Sequence, residues 1–149
     1  MTSVSVSLTI LSIDEEQVTA IVSDCANCTD IQHDDIKGVK ITTFNFYDIK
    51  NGELTSEKAL EEAKIPYEKC VGGCYDWDDY TETAKLTKSF SMVFDNYTTI
   101  QMNMVEISKI REHIIAGDLE EFIELESKRY VFDWATQESY RTNLLTPLK

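Results

Sequence analysis

Near the start of the chain Val4, Val6, Leu8 and Ile10 alternate with serines and threonines. A period of two puts all four apolar side chains on one face only if the backbone is extended, so the chain opens on a half-buried strand that needs partner strands. Asp14-Glu15-Glu16 interrupts, and residues 17–22 are again rich in β-formers, which predicts a hairpin. Polar residues dominate from Cys25 to Asp35 and read as a loop, with Lys37-Gly38 as a turn. Residues 39–49 are β-branched and aromatic and predict a third strand, stopped by Asn51-Gly52.

Thr55 or Ser56 caps a short helix over residues 58–64, which Pro66 ends because the residue before a proline avoids helical geometry. That reading places Cys70 close to a helix exit. Residues 83–94 and 97–104 alternate around Asp95-Asn96 and predict a second hairpin. From Glu106 the period changes: Ile107, Ile110, Ile114 and Ile115 share a helical face, and Gly117 supplies a stop. Asp118 with Glu121 has the spacing of a capping box, opening a helix with Leu119, Phe122, Ile123 and Leu125 inward. Residues 130–134 extend that helix or form a short strand, and residues 135–145 form a last helix before Pro147. The expectation is one globular α+β domain over residues 1–149, an antiparallel sheet of about five strands with two or three helices on one face.

Charge narrows the function classes. Lys and Arg number 14 against 27 Asp and Glu, a net −13, which repels phosphate backbones and argues against direct nucleic-acid binding. Anionic membrane surfaces repel it too, no apolar run approaches the roughly 20 residues of a spanning helix, and the first residues lack the pattern of a signal peptide. The expected location is therefore the cytoplasm, where paired cysteines are more often reduced, metal-bound or redox-active than structural disulfides.

The four cysteines fall into two pairs, Cys25-x2-Cys28 and Cys70-x3-Cys74, the second on the turn former Gly72-Gly73. Tight turns let neighbouring thiolates reach one ion, so all four can hold a structural, tetrahedral Zn²⁺ with no open position for catalysis; the alternative is four buried free thiols. The order of elements around the first pair, a strand at 18–22, Cys25-Ala-Asn-Cys28, a strand at 39–47, a helix and Ile65-Pro66, is similar to the thioredoxin family. In that family an Ile-Pro peptide packs against the redox pair, so the resemblance implies a thiol-disulfide oxidoreductase using Cys25 and Cys28.

The second cysteine pair runs into an acidic and aromatic stretch, Tyr75, Asp76, Trp77, Asp78, Asp79, Tyr80 and Glu82. Spaced carboxylates imitate a row of phosphates, while Tyr and Trp are interface anchors, so these seven residues are the candidate interaction site. Asp76-x-Asp78 lacks the remaining ligands of a calcium loop. His33 and His113 are isolated, and no phosphate loop, nucleophile elbow or His-Glu-x-x-His motif is present. The expected function is a non-enzymatic acidic protein that blocks a basic, nucleic-acid-handling partner: an anti-defence factor, or an immunity protein for a nuclease toxin.

Overall fold

The computed structural model describes residues 2–22 and 28–146. Among them are six strands in one sheet: β1 (Ser3–Leu11), β2 (Cys28–Ile36), β3 (Val39–Lys50), β4 (Tyr67–Val71), β5 (Tyr80–Leu86) and β6 (Met92–Thr98). The strand order is β2-β3-β1-β4-β5-β6 and every neighbouring pair is antiparallel. The class is α+β, with one strand more than the sequence suggests.

Two strands, β2 and β4, were not expected, while the expected strand at residues 17–22 is absent. The composition of β2, Cys-Thr-Asp-Ile-Gln-His-Asp-Asp-Ile, resembles a loop, yet it pairs with β3 from Ile36↔Val39 back to Cys28↔Phe46. As an edge strand it gains its order from backbone hydrogen bonds, and its charges blunt further pairing. The β2–β3 turn falls at Lys37-Gly38 as expected, both at positive φ (53° and 89°).

Residues 17–22 are helical, not a strand. Helix α1 (Glu15–Val22) follows the 3-10 turn Ser12–Asp14. Val18, Ile21 and Val22 sit at i, i+3 and i+4, a helical face that outweighs β-branched content, and Glu15 and Glu16 favour the positive end of the helix. Val18 and Val22 are buried against Val4, Val6, Leu8 and Ile10, together with Phe44, Phe46 and Leu60 of helix α2 (Glu57–Glu62). This first face of the sheet is the main core.

The second face bears Ser7, Thr9, Thr43, Asn45, Glu68 and Cys70, tied laterally by Ser7 Oγ–Asn45 Oδ1 (2.8 Å) and Thr9 Oγ1–Thr43 Oγ1 (2.9 Å). Its apolar end, Leu11, Val39 and Ile41, is covered by Phe132 and Trp134. Helix α6 (Trp134–Leu145) lies at the same end of the sheet, where the Gln137 amide pairs with both backbone groups of Leu86 (2.7 and 3.2 Å).

The second hairpin turns at residues 87–91, where Thr87 N–H donates to the Ser91 carbonyl (2.8 Å) and the Thr87 and Ser91 hydroxyls meet at 2.7 Å. Asp95-Asn96 is instead in mid-strand, opposite Thr83 and Glu82. Strand β6 ends at Thr98, which with Gln101 forms a reciprocal capping box for α3 (Thr99–Asn103). Helix α4 (Ile107–Ala116) stops at Gly117 (φ 77°), as its sequence predicts. Helix α5 (Leu119–Arg129) starts at Asp118 without the expected side-chain cap, because the Asp118 carboxylate is bound to His113 Nδ1 at 2.7 Å. Ile123 and Leu125 are exposed rather than inward. Residues 131–133 form neither helix nor strand.

Candidate functional site

The 72–79 loop leaves β4 and returns as β5, and its own chain holds it. Gly72 N–H donates to the Ser5 carbonyl (2.9 Å) and Cys74 N–H to the Trp77 carbonyl (2.9 Å). Trp77 Nε1 donates to the Gly72 carbonyl (3.2 Å), Thr2 Oγ1 to Asp76 Oδ2 (3.0 Å), and the Gly73 amide to the Asp79 carboxylate. A Cβ at Gly73 would lie 3.0 Å from the Asp79 amide nitrogen, so the close return of the loop depends on that glycine.

Each candidate interaction residue takes a distinct role. Trp77 and Tyr80 are partly buried against the main core and anchor the loop. Tyr75 is wholly exposed at its tip, and Asp76, Asp78 and Asp79 are exposed beside it. Glu82 is set apart: it lies in β5 facing the first side of the sheet, where its Oε2 is 2.9 Å from Lys69 Nζ. Lys69 is 1% exposed and also contacts Glu57 Oε1 (2.7 Å) and the Gly52 carbonyl (3.0 Å). Burial acts to lower its pKa, but the two carboxylates outweigh burial and hold the ammonium charged.

A depression of 470 Å³ opens next to the loop, lined by Gly73, Cys74, Trp77, Asp78, Asp79, Thr99 and Ile100. Thr99 and Ile100 come from α3, held there by Thr99 N–H donating to the Asp79 carbonyl (3.0 Å). The sequence reading missed this wall because it extended β6 through residue 104; the Thr98-x-x-Gln101 spacing was the available signal for a helix start.

Of the described cysteines, Cys28 and Cys70 lie on different strands and Cys74 lies in the loop. Cys70 lies within β4 rather than at a helix exit, on the second face, with its Sγ 3.6 Å from Thr81 Oγ1. Burial pushes its thiol pKa up, the Thr81 contact opposing. Cys74 and Cys28 instead pack against the first-face core. Strands β3 and β1 separate Cys28 from β4, a span of roughly 14 Å. Cys25 lies outside the described residues. No three metal-ligating side chains cluster among the described residues. The likeness to the thioredoxin order does not extend to the fold, because residues 18–22 are helical and Cys28 begins an antiparallel edge strand.

The histidines also have defined settings. His33 lies in β2, not in a loop, with Nε2 2.6 Å from Glu15 Oε1. His113 stacks on Phe122 with ring centroids 4.0 Å apart, joining α4 to α5 rather than standing isolated.

Glu68 of β4 is a carboxyl of the second face whose titration shifts on folding. Burial raises its pKa above the ordinary 4.5, with Lys85 opposing. A carboxyl raised in the folded state stabilises the fold fully below its unfolded pKa and loses that contribution as pH rises through the folded one. Asp14 and Glu57, also raised by burial, act in the same sense; Asp133, lowered by its hydrogen bonds to Thr136, opposes them. Thermal melting should therefore shift upward as pH falls from about 7 towards the carboxyl range. Glu68→Gln should melt higher at neutral pH and gain less on acidification, whereas equal pH slopes for both proteins would contradict the assignment.

Among the described residues no helix is long and apolar enough to cross a membrane. The chain matches no protein family, no curated protein and no solved structure.

Proposed function

We propose that this chain is a non-enzymatic, cytoplasmic binding protein that uses the 72–79 loop and the adjoining α3 wall to dock onto, and block, a basic nucleic-acid-handling protein. One observation carries the reading: a loop held by three hydrogen bonds of its own and two to Ser5 and Thr2 presents a wholly exposed Tyr75 beside carboxylates. Ordering a free loop at an interface costs affinity, so a loop already fixed by its own contacts is preorganised for binding. Tyr75 supplies area with few rotamers, Ile100 an apolar floor, and Asp76, Asp78 and Asp79 the charge that steers a cationic groove. The net charge of −13 extends that attraction to long range. A nuclease or a host-defence subunit with a phosphate-binding groove has the matching chemistry.

Tyr75 and Asp78 make no hydrogen bond within the described structure, so changing them tests binding apart from folding. Tyr75→Ala with Asp78→Lys should weaken the complex by roughly 30-fold or more, the loss of one interface anchor. The far-UV circular dichroism should not change. Unchanged affinity in the folded variant would remove this loop from the interface.

A further inference from the structure

Helices α3, α4 and α5 bury no residue at all. Ile107, Ile114, Ile123 and Met104 are each more than half exposed. Gly117 reverses the chain, and α4 and α5 face each other through the His113–Phe122 stack. With 100° per residue, Ile107 and Ile114 then lie roughly a third of a turn from that seam on α4, with Arg111 further round towards its outer edge, and Ile123 lies on the matching side of α5. Met102 and Met104 border the same side, since with Ile123 they line a groove of 180 Å³. The result is an apolar face on a helical hairpin.

We propose that this face pairs with the same face of a second copy of the chain, α4 of one copy against α5 of the other, as an antiparallel four-helix arrangement. Charge selects this occupant. The outer edge of α4 carries Arg111, and the outer edge of α5 carries Glu120 and Glu124, the latter also paired with Lys128 of its own helix (2.9 Å). A two-fold axis along the helices brings each basic edge against the other copy's acidic edge, with Arg111 six residues before Gly117 and Glu124 seven after it. A foreign protein of one charge would match one edge and repel the other, whereas an isologous contact satisfies both. Helices of 10 and 11 residues are about 15 Å long, which places the contact at the small end of specific interfaces.

Sedimentation equilibrium on the full chain, from about 1 to about 200 µM to bracket small interfaces, should show the mass rising from 17.1 kDa towards twice that value. Ile107→Glu with Ile114→Glu should stay monomeric with unchanged melting, since neither side chain is buried. Arg111→Glu alone and Glu120→Lys with Glu124→Lys alone should each weaken association at least about tenfold. Mixing these two charge variants should restore the dimer, because each acidic edge then meets a basic one. A wild-type chain that stays at 17.1 kDa throughout, or a dimer that persists in the isoleucine variant, would overturn the proposal.

Discussion

Replacing Arg141 by methionine is expected to cost about 3–5 kcal/mol of folding stability, the loss that follows when one partner of a buried ion pair is removed. Arg141 is 3% exposed and Asp14 1%. The guanidinium donates to Asp14 Oδ1 (2.9 Å), the Ala63 carbonyl (3.0 Å) and Gln17 Oε1 (3.2 Å), so one side chain of α6 ties together the end of β1, α1 and α2. Burial already pushes the Asp14 carboxyl pKa up despite Arg141, and its Oδ2 has no partner among the described residues. Without the guanidinium the carboxylate is buried and uncompensated. At roughly 2–4 °C per kcal/mol for a chain of this size, the melting temperature should fall by about 10 °C. Adding Asp14→Leu to Arg141→Met should recover much of the loss, since no orphaned charge remains. A single variant that melts within about 1 °C of wild type would show that the pair contributes little.

Lys69→Met is expected to cost about 3 kcal/mol, somewhat less, because Glu57 and Glu82 keep 20% and 31% exposure and can regain water. Here the ammonium is the hub: it pins α2, the turn after β3 and β5 onto the first face through Glu57, the Gly52 carbonyl and Glu82. Urea unfolding measures the loss as a lower midpoint with an unchanged slope. Glu82→Gln should reproduce part of it, and a variant of Glu82 that alters stability without altering partner binding would agree with its inward position. An unshifted midpoint for Lys69→Met would contradict the hub.

Where local pattern and tertiary environment agreed, the fold was legible. The alternation in β1, the β-branched run of β3, the Lys37-Gly38 turn, the Gly117 stop and α6 all follow from the sequence. Three of the misreadings share a cause: contacts far away in sequence decided the outcome. Strand β2 is too polar to announce itself and exists because β3 lies beside it. Helix α1 has strand composition but must cover the first face with Val18 and Val22. Asp95-Asn96 has turn chemistry but is drawn into β6 by its register with β5.

The candidate site divides in the same way. Its acidic and aromatic composition was visible as a local run, and Tyr75, Asp76, Asp78 and Asp79 are on the surface as that run suggests. The anchoring role of Trp77 and Tyr80, the withdrawal of Glu82 to Lys69 and the α3 wall depend on residues from other strands and helices. Only the start of α3 has a local signal, the Thr98-x-x-Gln101 spacing; no spacing rule on one segment reports the rest.

The most direct measurement is affinity capture from a lysate with the tagged wild-type chain and the Tyr75→Ala, Asp78→Lys variant in parallel, washed at low and then high salt. The account predicts that one basic nuclease, helicase or defence subunit stays on the wild-type chain through the high-salt wash and is lost from the variant, and that its activity is blocked by the wild-type chain alone. Many basic proteins bound alike by both chains and released together by salt would contradict it, and would reduce the negative charge to a solvating role.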